Sequence, residues 1–164
     1  MSLTGIFQWI QSTDLSTAIR SGIWLFPTIE TVHVLAITTV VGSILMVDLR
    51  LLGIASRKTP TTLIARELLP YTWTAFAIAA ISGAMLFSSK PSVYVADRQF
   101  ELKFLFMALA GINMVLFHRG TYRRVLQWDN DLPPPMGARL AGGISIALWC
   151  AVVFMGRWTG FTAL

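Results

Sequence analysis

Charge is scarce in this 164-residue chain: only 13% of residues are Asp, Glu, Lys or Arg, and eight of those are acidic. Soluble domains carry about 25%. A chain this short, with 55% hydrophobic residues, lacks the polar groups to cover a globular surface, so its excess apolar residues face lipid. The same hydrophobicity excludes intrinsic disorder. Cysteine is nearly absent, and the single Cys150 lies in an apolar run and reads as a small apolar residue, which excludes a disulfide scaffold. Histidine occurs twice, as His33 and His118, too few for a zinc array. Phosphate-binding loops, dinucleotide fingerprints and nucleophile elbows are missing as well, so no autonomous enzymatic reaction is expected.

What remains is apolar and helical. Four stretches approach the roughly 20 residues that a bilayer core requires, at about 22–47, 71–88, 101–117 and 140–155. None alternates polar and apolar residues as barrel strands do. The reading is an all-α, single-domain protein over residues 1–164, a four-transmembrane-helix bundle. The first twenty residues add an N-terminal interfacial amphipathic helix: Leu3, Phe7 and Ile10 share a face beside Trp9, and Leu15, Ile19 and Ile23 form a second stripe after a cap at Asp14. A soluble extension capping the bundle is the alternative. A cleaved secretion signal does not fit, because no basic residue precedes Arg20.

Eight basic residues fall in the first and third loops (Arg50, Arg57, Lys58, Arg66, Arg119, Arg123, Arg124, Arg139) and five on the other side (Arg20, Lys90, Arg98, Lys103, Arg157). That asymmetry marks the cytoplasmic face and places both termini outside. The net charge of +5 therefore reflects topology, and no soluble basic face exists for nucleic acid. Ala75, Ala79 and Gly83 recur at four-residue spacing, as do Gly143, Ala147 and Ala151, which predicts close helix contacts within the chain or between copies. Trp9, Trp24, Trp128 and Trp158 are expected at the interfaces, with Trp73 and Trp149 deeper. The run from Trp128 to Pro135 reads as a stiff polar linker.

Ionisable groups inside spans are functional candidates because each costs about 2.5–3.5 kcal/mol near a helix centre. Glu30 and His33, three residues apart, share a face of the first span, roughly 12 and 16 Å below its outer edge. Pro27 suggests a kink one turn above Glu30. Three readings stay open. Glu30 and His33 could ligate a metal, although di-iron bundles use two E-x-x-H steps and only one is present. His33 or His118 could ligate haem b for electron transfer, although a depth offset of roughly 10 Å opposes joint ligation of one haem. Or Glu30 pairs with Lys103 or Arg157, leaving His33 hydrogen-bonded in the interior.

Asp48, five turns from Glu30, combines with Arg50 and His118 into an inner polar cluster, facing an outer one of Glu30, His33 and Lys103. Two clusters joined through the bundle suggest a proton or metal-ion conduit, or a bundle pinned at both ends. Asn113, at mid-depth, is expected to bond a neighbouring helix.

The blocks Trp24-Leu25-Phe26-Pro27 with Glu30 and His33, Asp48-Leu49-Arg50-Leu51-Leu52-Gly53, Phe100 with Lys103, Asn113 with Phe117-His118, and Gly156-Arg157-Trp158 resemble a family of small bacterial four-helix membrane proteins of unknown function. The resemblance spans nearly the whole chain and implies an inner-membrane protein without an assigned activity. A looser similarity links the histidines to four-helix b-type cytochromes and copper-resistance membrane proteins, which usually carry more paired histidines. The functional expectation is an accessory subunit in the lipid bilayer, a homo-oligomer or part of a larger membrane complex, that keeps a buried Glu/His site.

Overall fold

A computed structural model describes residues 3–56, 58–129 and 132–162, without the side chains of Leu3 and Thr4. Leu3 of the first amphipathic stripe, Arg57 of the basic count and Asn130 and Asp131 of the linker therefore lie wholly or in their side chains outside the described residues. Seven α-helices follow in order: α1 Leu3–Gln11, α2 Asp14–Ser21, α3 Leu25–Leu51, α4 Thr61–Ser89, α5 Pro91–Ala96, α6 Arg98–Arg119 and α7 Met136–Thr162, with a 3-10 segment, Thr121–Gln127, between the last two. No strand occurs among the described residues. Helices α3, α4, α6 and α7 have 27, 29, 22 and 27 residues and are long and apolar enough to cross a membrane.

These helices run past the apolar stretches that identify them, and the starts of α4 and α6 are capped by Asp129 and Asp97. In α4 the helix begins nine residues before Pro70 and runs through it. Its first turn is held by a side chain from a distant loop, described below, and this extends it past what hydropathy marks. Pro27 does not kink α3: the helix starts at Leu25, so proline occupies the first turn, where its missing N–H has no partner to lose.

Packing proceeds from α4 to α3, from α3 to α7 and from α7 to α6. Side chains join α4 to α6, where Phe87 stacks on Phe100 with ring centroids 5.7 Å apart. Gly83 of α4 backs onto α3, and a Cβ there would lie 2.9 Å from His33 Cε1. On α7 the close contact is one position away from the expected Gly143 stripe. A Cβ on Gly142 would stand 2.9 Å from the Asp48 carbonyl oxygen and 3.1 Å from Leu51 Cβ, and Ala138 on the same face is fully buried. Adjacent residues differ by about 100° around a helix, so a one-residue shift selects another face.

The two N-terminal helices rest on the end of the bundle that also carries α5. Thr13, not Asp14, caps α2, its hydroxyl accepting from the Ser16 amide at 3.3 Å. Ser16 donates to the Ser88 carbonyl at 2.6 Å, Arg20 reaches the Ser89 carbonyl, and Ile19 is fully buried. At the same end Asp97 caps α6 and accepts a hydrogen bond from Thr162 at 2.8 Å, so the end of α7 lies on the side of the bundle that carries α1 and α2. Large apolar side chains such as Leu35, Ile81, Leu116 and Phe154 point outward, and Trp9, Trp24 and Trp158 are exposed. Trp128 departs from its expected interfacial place. It is buried with Leu51, Val125 and Ala138 in a core cluster at the opposite end of the bundle.

Candidate functional site

Two polar assemblies sit at the two ends of the bundle. At one end of the bundle, α4 packs against His33 of α3, α6 brings Lys103 toward it, and α7 borders Lys103. The ring belongs to α3 and lies against Gly83 of α4, where the absent side chain leaves it room. Its Nδ1 is 3.0 Å from Ser82 Oγ. The Ser82 hydroxyl donates to the Ile78 carbonyl at 2.6 Å. With that proton committed, Nδ1–H is the donor to Ser82, and the ring also interacts with the Ala79 backbone.

Lys103 of α6 acts electrostatically on the His33 ring, and its Nζ also borders Gly156 of α7. From their helix starts, His33 lies about 12 Å and Lys103 about 8 Å down, similar levels at 1.5 Å per residue. The rings of Phe87, Tyr94, Phe100 and Phe104 form one aromatic cluster that joins α4, α5 and α6.

Glu30 occupies a different position from the one expected of it. It is exposed on α3, one turn from His33, and forms no ion pair with Lys103 or Arg157 among the described residues. Its carboxylate faces Tyr94 of α5: burial raises the phenol pKa above its usual value, and the Glu30 charge raises it further. Arg157 is exposed, its guanidinium 5.5 Å from the centre of the Phe161 ring. Lys103 thus lies half-buried among apolar helices, and among the described residues no carboxylate pairs with it.

The other end holds a knot of three connections. Arg50, at the end of α3 and 1% exposed, donates from Nε to the Thr59 carbonyl at 2.7 Å and from a terminal nitrogen to the Asp129 carbonyl at 3.1 Å. The Asp129 carboxylate accepts from the Thr61 amide at 2.5 Å, from the Thr62 amide at 3.1 Å and from the Thr62 hydroxyl. A residue from the loop before α7 therefore caps α4, meeting the orphan N–H groups and the positive end of the helix dipole. Burial pushes the Asp129 pKa up, but these hydrogen bonds outweigh it and hold the carboxyl below its ordinary value.

This knot corrects the expected grouping of Asp48, Arg50 and His118. Asp48 and Arg50 are both buried, but residues two apart on a helix diverge, and Asp48 faces Ser145 of α7 with its Oδ2 unpartnered. His118 is exposed, its Nδ1 donating to the Met114 carbonyl at 2.9 Å and its ring 4.9 Å from that of Tyr122. It lies about 30 Å along α6 from Arg98, against about 12 Å along α3 for His33, so the two histidines belong to opposite ends of the bundle. No group of three or more His, Cys, Asp or Glu that could hold a metal occurs among the described residues. Asn113 bonds the Ala141 carbonyl of α7 at 2.9 Å.

Ser82, Asp129, Thr61 and Thr62 are the participants that the sequence did not single out. Ser82 carried a signal, a hydroxyl within an apolar span next to a glycine. Asp129 carried none, because its partners lie 67 and 68 residues away.

Fold and composition together define an all-helical protein with four helices apolar enough for a multi-pass membrane protein. Over residues 6–162 the chain matches the family of unknown function DUF6644, and it belongs to that family. No curated protein and no solved structure matches it significantly.

Proposed function

We propose that this protein is an accessory subunit of the bacterial inner membrane, as an oligomer or within a larger complex, with both termini periplasmic. Its site is the outer polar centre, where His33 and Lys103 hold a ligand through an oxygen atom. The observation that carries this reading is Lys103, half-buried within electrostatic reach of the His33 ring and without an ion-pair partner among the described residues. An ammonium among apolar helices is costly without a partner, and no carboxylate among the described residues pairs with it. A bound hydroxyl or carbonyl oxygen would accept a hydrogen bond from Lys103, and a hydroxyl would in addition donate to His33 Nε2. Ser82 fixes the ring for that purpose and Gly83 gives it space.

A second reading has its own observation. A histidine that ligates iron commonly donates its other ring N–H to a fixed acceptor, and the His33–Ser82 bond has that form. Haem b held by His33 is therefore the competing proposal, with any second axial ligand coming from elsewhere than His118.

Purified protein from haem-replete cells separates the two. The first reading expects a colourless preparation from which organic extraction recovers a small molecule by mass spectrometry, present with the parent and lost with Lys103→Met and His33→Ala. A reduced-minus-oxidised Soret band that vanishes in His33→Ala and survives in Lys103→Met and His118→Ala overturns it in favour of haem. A colourless parent with no molecule that depends on either residue refutes both.

A further inference from the structure

The opposite end of the bundle carries a concavity of about 710 Å³ that neither polar assembly uses. The last turn of α6, the 3-10 segment and the start of the loop to α7 build it, and Arg119, Arg123 and Arg124 line it with Thr121, Gln127 and Trp128. All three arginines are exposed, and none has a carboxylate partner among the described residues. The acid adjacent to this wall, Asp129, is turned away, its carboxylate occupied by the first turn of α4. Three arginines thus line one hollow, and no carboxylate among the described residues neutralises them.

Its position selects the ligand. Arg119 ends a helix apolar enough to cross a membrane, which sets the hollow at the boundary between hydrocarbon and water. Leu116, on the membrane side, is 66% exposed, and Leu126, within the 3-10 segment, is 87% exposed. A free inorganic anion has no use for those side chains, whereas an amphiphile does: its phosphate meets the guanidinium forks and its acyl chains lie along Leu116 and Leu126. Arginine-rich hollows between helices on the cytoplasmic side suit anionic headgroups on general electrostatic grounds. The geometry points to a phospholipid-headgroup site at Arg119, Arg123 and Arg124 that takes the phosphate of an anionic lipid.

The test titrates the full-length, detergent-purified protein with phosphatidylglycerol, phosphatidylcholine or inorganic phosphate and counts bound molecules by native mass spectrometry. At roughly 1 kcal/mol per arginine near an anionic lipid, Arg123→Gln with Arg124→Gln should weaken phosphatidylglycerol binding about thirtyfold. Arg66→Gln with Arg139→Gln, which removes equal charge outside the hollow, should change it less than threefold. Arg123→Lys with Arg124→Lys should fall between, since charge persists but the forks are lost. Equal weakening by the two glutamine pairs would reduce the site to diffuse surface charge and overturn the proposal. So would parent protein that binds phosphatidylcholine as tightly as phosphatidylglycerol, or inorganic phosphate that displaces the lipid at equal concentration. Matching thermal unfolding midpoints for the two pairs confirm that binding, not folding, is compared.

Discussion

Removing one loop carboxylate should destabilise a helix that starts 68 residues earlier in the chain. Asp129→Ala deletes the acceptor of three donors at the start of α4: the Thr61 and Thr62 amides and the Thr62 hydroxyl. Loss of an N-cap costs about 0.5–2 kcal/mol. Stranding a buried donor adds about 1–3 kcal/mol, and Thr61 is 1% exposed, so water cannot replace the lost acceptor. These terms overlap, and we expect about 2–4 kcal/mol in all. At about 2–4 °C per kcal/mol for a chain of this size, the unfolding midpoint in mild detergent should fall by roughly 5–15 °C. Asp129→Asn keeps one acceptor oxygen without the charge and should cost about half as much. The pH dependence has a definite sign. The folded carboxyl sits below its ordinary value of 3.8, so its stabilisation is complete above 3.8 and is lost as pH falls through the folded value. The gap between the parent and Asp129→Asn should be flat from pH 7 to about 4 and narrow below that. Circular dichroism melts across this range measure it. An Asp129→Ala midpoint within 1 °C of the parent, or an Asp129→Asn protein as unstable as the alanine variant, would refute trans-capping.

Two glycines should respond in opposite ways to the same methyl group. Gly142→Ala forces a Cβ to 2.9 Å from the Asp48 carbonyl oxygen, which is backbone and cannot swing aside, and should cost about 1–3 kcal/mol; Gly111→Ala meets nothing within 4 Å and should gain up to about 1 kcal/mol from helix propensity. Denaturant titration of both in the same detergent checks the contrast. Asn113→Leu should lose only about 0.6 kcal/mol, the average for a bond between membrane helices, and no more than about 1.7. Gly83→Ala should push the His33 ring off Ser82, so a double-mutant cycle with Ser82→Ala should show less than additive loss; strict additivity would mean that the ring had not moved.

The difference between what was legible in the sequence and what was not follows from the range of the interactions. Helix class and number come from local hydropathy, which a window of about 20 residues contains, and all four long helices appear where apolar runs predict them. Their ends are set by contacts no window contains. The start of α4 depends on Asp129, and Pro70, which reads locally as a boundary, lies inside the helix because that remote cap sustains the turns before it. The candidate site divides in the same way. His33 stood out as a rare ionisable group in an apolar run, and three-residue spacing tied Glu30 to it. Spacing fixes a shared helix face but not which neighbour that face meets: Glu30 turns toward Tyr94 of α5, and Lys103 is left without a counter-charge among the described residues. At the other end Asp48 and Arg50 read as one cluster because they are close in sequence, yet two residues on a helix separate side chains that a strand would align. The stiff polar linker that begins at Trp128 conceals a carboxylate with three hydrogen bonds, since its composition reports solvent exposure while Asp129 is buried. In a membrane bundle the lipid-facing residues carry the strong signal and the few polar residues the weak one. Those few decide how the helices are joined and what they hold.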